Sequence, residues 1–483
     1  MRPSILFCFV GLGAALHLLP PRPTKIFELT LTWGTEAPDG VERQQALING
    51  QFPGPPLIFD EGDNVEVTVN NLLPFNTTMH WHGIECADSI LINGKGRVRC
   101  VDSAYLTTLT PAPLVPLLQG KNYTDKGCLP VQNTYAQTTF SQHNYTAIPP
   151  SMFDECSATE SIEEVVRVDP RKGWALTLSN GARYSVLVQL NNTPGNYLIT
   201  AANAGLNQKI AGYGAFSYVN GDPSVVGKPS IDYAGNNMSA EVVVFDENKI
   251  KPLIPSRPRE EADQTYVLTI GRIEKAWKWS LNGQHSYGLS LESEKPMLWD
   301  PLSYANSDLV MATKNDTWVD IVFAVPGNAS TLQPGHPIHK HSNMVYVLGA
   351  GMGEFKWTSV AEAQREIPEM FNLVDPPMRD TFTTLPALLS PSWLAVRYYG
   401  RPSYRFLFHS LPPFSLCFSK KKRLTCIIVQ NPGFRLTNQA FFLHCHIDPH
   451  LTGGMALAIL DGIDAWPRIP EQYGPKGHWG KAT

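Results

Sequence analysis

Charged side chains are scarce in this chain. Asp, Glu, Lys and Arg make up 17% of its 483 residues, where a typical soluble protein has roughly 25%, and the formal net charge is −4. No basic stripe is present, so the electrostatic footprint of a nucleic-acid-binding protein is missing. Long internal apolar runs are missing as well, and nothing beyond the N-terminus approaches the ~20 residues of a membrane-spanning helix. Cysteine is sparse, at 8 residues. Cys86, Cys100, Cys128 and Cys156 could pair in an oxidising compartment, with a connectivity that spacing leaves open.

Turn-formers, by contrast, are plentiful. Glycine (37) and proline (40) interrupt short runs rich in Val, Leu, Ile and Thr, which argues for antiparallel β domains. The length corresponds to about three of them. Residues 1–24 differ in character. Arg2 precedes an apolar run from Ile5 to Leu19, then Pro20, Pro21 and Pro23, the pattern of a secretory leader. Asn-x-Ser/Thr triplets at Asn76, Asn122, Asn144, Asn191, Asn237, Asn315 and Asn328 fit a secreted glycoprotein.

Histidine carries the chemical signal. Eight of the 13 histidines fall into three short clusters. The richest is Phe441-Phe442-Leu443-His444-Cys445-His446-Ile447-Asp448-Pro449-His450, followed by Met455. On a strand, side chains alternate between faces, so His444 and His446 share one side and Cys445 takes the other. Such a strand can hold different metals on its two faces, joined through a few covalent bonds. A thiolate, imidazoles and a weak axial thioether form the ligand set of an electron-transfer copper site. The remaining imidazoles come from His336-Pro337-Ile338-His339-Lys340-His341 and from His80-Trp81-His82. Zinc fits any single cluster, but it explains neither Met455 nor a cysteine between two histidines that face away from it.

At these residues the chain resembles the multicopper oxidases of the fungal laccase type, and within them the ascomycete pigment-associated members. Further matching stretches are Asn49-Gly50-Gln51-Phe52-Pro53-Gly54-Pro55-Pro56-Leu57, His80 to Glu85, Arg379-Asp380-Thr381-Phe382, and residues 444–466. The resemblance implies an all-β fold of three tandem cupredoxin-like Greek-key domains. It divides the chain into a leader (1–24), a partial first domain (25–86), a second domain (87–250) and a third (251–483). Two places depart from the pattern. After Glu85 the sequence passes at once into what resembles the opening of domain two, so half of domain one, with a second His-x-His cluster, has no counterpart. Residues 400–430 contain Lys420-Lys421-Lys422-Arg423, Cys417 and Cys426 and show no strand alternation. This stretch is read as translated intron or as a surface-loop insertion, and the first break as a faulty exon join.

The resemblance also implies four coppers. His336, Cys445 and His450 hold the type 1 ion, with Met455 as weak axial ligand. His80 and His339 hold type 2, and His82, His341, His444 and His446 the type 3 pair. Cys445, His444 and His446 carry electrons between the centres. The implied activity is one-electron oxidation of diphenols or aromatic pigment precursors, coupled to four-electron reduction of dioxygen to water, by a secreted or cell-wall-associated monomer. The competing readings are a ferroxidase or ascorbate oxidase, and a catalytically impaired copper-binding or electron-transfer protein that lacks the second His-x-His motif. Asp448 is the one acidic neighbour of the type 1 histidines in the sequence, which favours an aromatic donor over iron.

Overall fold

The computed structural model describes residues 24–37, 42–58, 64–74, 79–82, 96–98, 174–184, 193–202, 211–218, 220–227, 230–232, 236–245, 256–274, 278–287, 297, 301–327, 333–387, 389–400 and 440–466. Most of the leader, the four cysteines between Cys86 and Cys156, the 400–430 stretch beyond Gly400, and the triplets at Asn76, Asn122, Asn144, Asn191 and Asn328 lie outside these residues.

The N-terminal sheet contains β1 (Thr24–Glu36), β2 (Arg43–Ile48), β3 (Asn64–Asn71) and β4 (Gly96–Val98), in the order β2-β1-β3-β4. β1 and β3 run parallel, with Phe27 opposite Val67. Residues 27–33 and 65–69 alternate apolar and polar residues, and the period shows in β1, where Leu29 and Leu31 are buried and their neighbours are less so. Among the described side chains of this sheet the buried apolar ones are Leu29, Leu31, Leu47 and Val67, whereas Ile26 is 65% exposed.

The middle region supplies two small sheets. β5 (Trp174–Ala175) pairs in parallel with β8 (Val243–Val244), and β6 (Asn196–Ala202) forms a hairpin with β7 (Ala211–Ser217). The sequence of residues 183–188, Arg-Tyr-Ser-Val-Leu-Val, is strand-like, but Arg183 and Tyr184 are not in a strand, and residues 185–188 lie outside the described part.

Among the described residues, the C-terminal half is a sandwich of two five-stranded sheets. Its strands are β9 (Gln264–Thr269), β10 (Gly271–Arg272), β11 (Trp279–Ser280), β12 (Val310–Ala312), β13 (Trp318–Val325), β14 (Pro337–Lys340), β15 (Val345–Met352), β16 (Met378–Arg379), β17 (Thr381–Thr383), β18 (Ser392–Tyr399), β19 (Ala440–Cys445) and β20 (Ala456–Leu460). One sheet has the order β12-β20-β19-β14-β17 and the other β16-β15-β18-β13-β9, while β10 and β11 form a separate hairpin. β13 and β18 are buried on both faces because each serves two cores. Ile321, Phe323, Leu394, Val396 and Tyr398 point between the sheets. Val322, Trp393 and Ala395 pack outward against Leu348, Val360 and Leu373. Asp320 and Arg397, directly opposite each other on these strands, form a buried two-point ion pair, with Nη2–Oδ2 at 2.8 Å. These paired layers are the cupredoxin-like sandwich that the resemblance implies.

Candidate metal centre

β19 lies antiparallel between β14 and β20, with Ile338 opposite Cys445 and His339 opposite His444. The pleat then sorts the side chains. Ile338, Phe441, Leu443 and Cys445 enter the core between the sheets, and His339, His341, His444 and His446 cluster on the opposite face.

On the core side, chain geometry folds His450 back toward Cys445. β19 passes into a one-turn helix, Asp448–Thr452, with Pro449 in its first turn, where a missing N–H does no harm. Gly454 (φ 92°) reverses the chain, a conformation that favours glycine. The Met455 N–H donates to the His450 carbonyl, and the Cys445 N–H donates to the Met455 carbonyl, at 2.9 and 3.0 Å. Cys445 Sγ stands 3.6 Å from His450 Nδ1 and 3.9 Å from His336 Nδ1, and the two nitrogens are 3.2 Å apart. The Met455 side chain is buried in the same core cluster.

Two residues absent from the sequence argument complete this side. Gln333 Oε1 lies 3.2 Å from His336 Nε2, and its amide donates to the Pro326 carbonyl at 3.1 Å. With Nε2–H donated to Gln333, the His336 Nδ1 lone pair is left facing Cys445. Trp279 packs its ring 4.1 Å from His450 and donates its backbone N–H to Gly453 at 2.8 Å. Burial pushes the Cys445 thiol up to about 12, a penalty that a bound cation reverses. Burial, then the Arg272 charge, lowers His336 to about 3. Burial, then His336 and Arg272, holds His450 well below the usual range. Both imidazoles are neutral lone-pair donors at neutral pH.

On the other face six imidazoles converge. His80 and His82 arrive on residues 79–82, which form no regular strand, but both rings reach the cluster. His80 Nε2 is 3.1 Å from His339 Nε2, and His341 Nε2 is 3.2 Å from His444 Nε2. Two nitrogens bound at ~2.0–2.1 Å to one near-tetrahedral ion stand roughly 3.3 Å apart, so these spacings suit shared ions. Other neighbours are stacked: His80 on His341 at 3.7 Å and 12°, and His82 on His339 at 3.8 Å and 10°. Lone pairs lie in the ring plane, so stacked rings do not converge on one ion. This divides the six into His80 with His339, His341 with His444, and His82 with His446, whose rings are 5.1 Å apart. Nδ1 of His339 donates to the Asp380 carbonyl and Nδ1 of His444 to the Cys445 carbonyl, both at 2.9 Å, which leaves each Nε2 bare. Burial foremost, then the neighbouring imidazoles, lowers His339 and His444 far below the usual range. His82 is lowered to about 4, burial outweighing the opposing Asp380 charge. Its Nε2 is buried without a hydrogen-bond partner, which suits a metal at that atom. The nine histidine and cysteine residues read from the sequence lie in these two clusters, and Met455 lies beside the first by burial and backbone contact.

The middle region adds a seal that the sequence reading missed. Gly181 (φ 80°) lies so near His446 that a Cβ there would meet the ring at 2.4 Å. Ser179 Oγ is 2.5 Å from Thr383 Oγ1, and Arg183 reaches both His82 and Asp380. No local pattern in the sequence marks these residues, because their partners are some 200 positions away.

Similarity to known proteins extends over most of the chain. Family models described as multicopper oxidase match residues 30–100 and 273–411. Laccase abr2 of Aspergillus fumigatus is 30% identical, with 92% of this chain and 95% of the relative covered. That alignment spans 603 positions, more than the 483 residues present, so part of the relative has no counterpart here. Multicopper oxidase MCE of Talaromyces pinophilus is 29% identical, covering 94% and 95% of the two chains. The crystal structure of a laccase from Botrytis aclada aligns at 15% identity with a TM-score of 0.48, covering 93% and 90%. The chain belongs to the fungal multicopper oxidase family.

Proposed function

We propose that the protein is a laccase-type oxidase that takes single electrons from diphenols or related aromatic donors and delivers them to dioxygen, which is reduced to water. The observation that carries this reading is β19, which turns Cys445 toward one donor set and His444 toward the other, with His446 following on the same side. Copper, when bound, supplies the one-electron redox chemistry and the centre at which dioxygen reacts. In this reading His336, Cys445, His450 and Met455 would hold the type 1 ion. His80 and His339 would hold type 2, and His341 with His444 and His82 with His446 would hold the type 3 pair. Gln333 orients His336, and Trp279 shields the set from water. His450 is the partly exposed member and would face the donor, and the Cys445 backbone would link the type 1 ion to the ions held by His444 and His446.

Arg272 supports an aromatic donor. Its guanidinium lies 4.4 Å from the Trp279 ring centroid and puts positive charge beside His336 and His450, which disfavours a ferrous cation. Asp448, the nearby carboxylate, interacts with His446. Secretion and a phenolic pigment precursor belong to the same proposal and rest on the leader pattern and the subfamily resemblance. Oxygen uptake with a diphenol and with ferrous iron, measured beside copper per chain, tests it. Faster uptake with the diphenol is expected, and faster iron oxidation would make the protein a ferroxidase. A second reading, an electron-transfer protein, is favoured by the completeness of the type 1 set within residues 333–455 when a second His-x-His motif is missing. Blue colour with one copper and no oxygen uptake would establish it.

A further inference from the structure

Residues 179–184 contribute no metal ligand, yet they touch two of the six clustered imidazoles. Arg183 is at the centre of the contact. The two N–H of its Nη1 are shared among three acceptors, His82 Nδ1 at 2.9 Å and Asp380 Oδ1 and the Gly181 carbonyl, each at 3.0 Å. Its Nη2 is 2.8 Å from Asp380 Oδ2. That carboxylate oxygen is 3.7 Å from His82 Nδ1, and the backbone carbonyl of the same Asp380 holds His339 Nδ1 at 2.9 Å. Asp380 therefore sits behind two histidines of the cluster.

We propose that Arg183 and Asp380 form a positioning pair for His82, exchanging places as its partner when a metal binds. The inference rests on the reading of His82 as a metal-facing residue. A guanidinium only donates hydrogen bonds, so in the metal-free chain His82 Nδ1 accepts from Arg183 and the single ring proton sits on Nε2. A cation at Nε2 needs that lone pair, and the proton must then sit on Nδ1 with the ring still neutral. Nδ1–H now faces a donor and requires an acceptor. Asp380 Oδ2 is within a small ring rotation, and the carboxylate–histidine–metal arrangement that results is the usual second layer of a metal site. Arg183 keeps Asp380 and Gly181 and releases His82. Metal occupancy is thereby coupled to the seating of residues 179–184, which also lie against His446.

The test is a titration of the full chain with copper, following ions bound per chain and the blue type 1 absorption, for the wild type, Arg183→Met, Arg183→Lys and Asp380→Asn. Copper beyond the blue ion is expected to bind ~10–100-fold more weakly to Arg183→Met and Asp380→Asn, with the blue ion unchanged. Arg183→Lys should fall between, because an ammonium cannot span the partners of the guanidinium fork. Should Arg183→Met not fold, the near-isosteric Asp380→Asn decides alone. Unchanged affinity in both variants would overturn the proposal. So would loss of the blue ion along with the rest, which marks a general packing role. A wild type that binds only the blue ion would overturn it too, while leaving the type 1 reading of the chain intact.

Discussion

The N-terminal sheet and the C-terminal sandwich both bring histidines to the same cluster, but they hold them in very different ways. The sandwich fixes His339, His341 and His444 on strands, or at strand ends, backed by a continuous core that includes Ile321, Phe323, Ile338 and Leu443. The N-terminal sheet buries four apolar side chains among its described residues and contributes none to a core cluster. It presents His80 and His82 on irregular chain. Four of the six clustered imidazoles are therefore built into the sandwich, and the other two are offered from beside a thin sheet held in place partly by the cluster itself. A chain of this kind gains stability from the metal, because ligands drawn from separate regions are tied together only when the ion is bound.

The most severe break in this comparison is Cys445→Ser. It should abolish the blue absorption and the type 1 ion while leaving the six-imidazole face in place, as read by copper per chain and by absorption. Next come the cores. Phe323→Ala should cost ~3–5 kcal/mol, whereas Leu47→Ala in the thin sheet should cost clearly less, and parallel denaturant titrations would show whether the difference exists. Splitting the buried Asp320–Arg397 pair by Arg397→Met should likewise cost ~3–5 kcal/mol, against less than ~1 kcal/mol for Arg259→Met, whose partner Asp263 lies near the surface.

Acid sharpens the contrast. His336 and His82 are lowered to about 3 and about 4 in the fold, below the ~6.5 of an exposed imidazole. Between those values the unfolded chain binds more protons than the native one, so stability falls as pH drops from ~6.5 toward ~3. Thermal midpoints of the metal-free chain should decline over that window, and a flat profile would contradict the burial of these rings. A more local effect is expected from Gln333→Leu. It removes the acceptor that fixes His336 and should weaken type 1 copper ~10-fold or somewhat more, with the sandwich still folded by circular dichroism.

Much of the centre was legible in the sequence because its signals are local. The i, i+2 spacing of His444 and His446 around Cys445 dictates two faces on any strand, and the observed register agrees. Arg183 and Gly181 were not legible, since nothing in residues 179–184 indicates which distant side chains they will meet. Gln333 lies only three residues before His336, but a glutamine there reads as an ordinary loop residue until its amide is seen bonded to Pro326. The setting of Lys340 was equally hard to read. A lysine between two histidines reads as solvated, yet it is fully buried, 4.4 Å from the Tyr398 ring centroid and bonded to Asn343. The pleat that sends His339 and His341 to one face sends Lys340 into the core, and the core provides for it.

The alternation of β19 also bears on how the gene can change. A side-chain period of two means that one residue inserted or removed next to Cys445 moves the thiol to the imidazole face and an imidazole into the core. No compensating shift elsewhere restores both. Codon-sized insertions and deletions can accumulate in loops, but across the codons for residues 440–446 a single one would leave a foldable strand with its two chemistries exchanged.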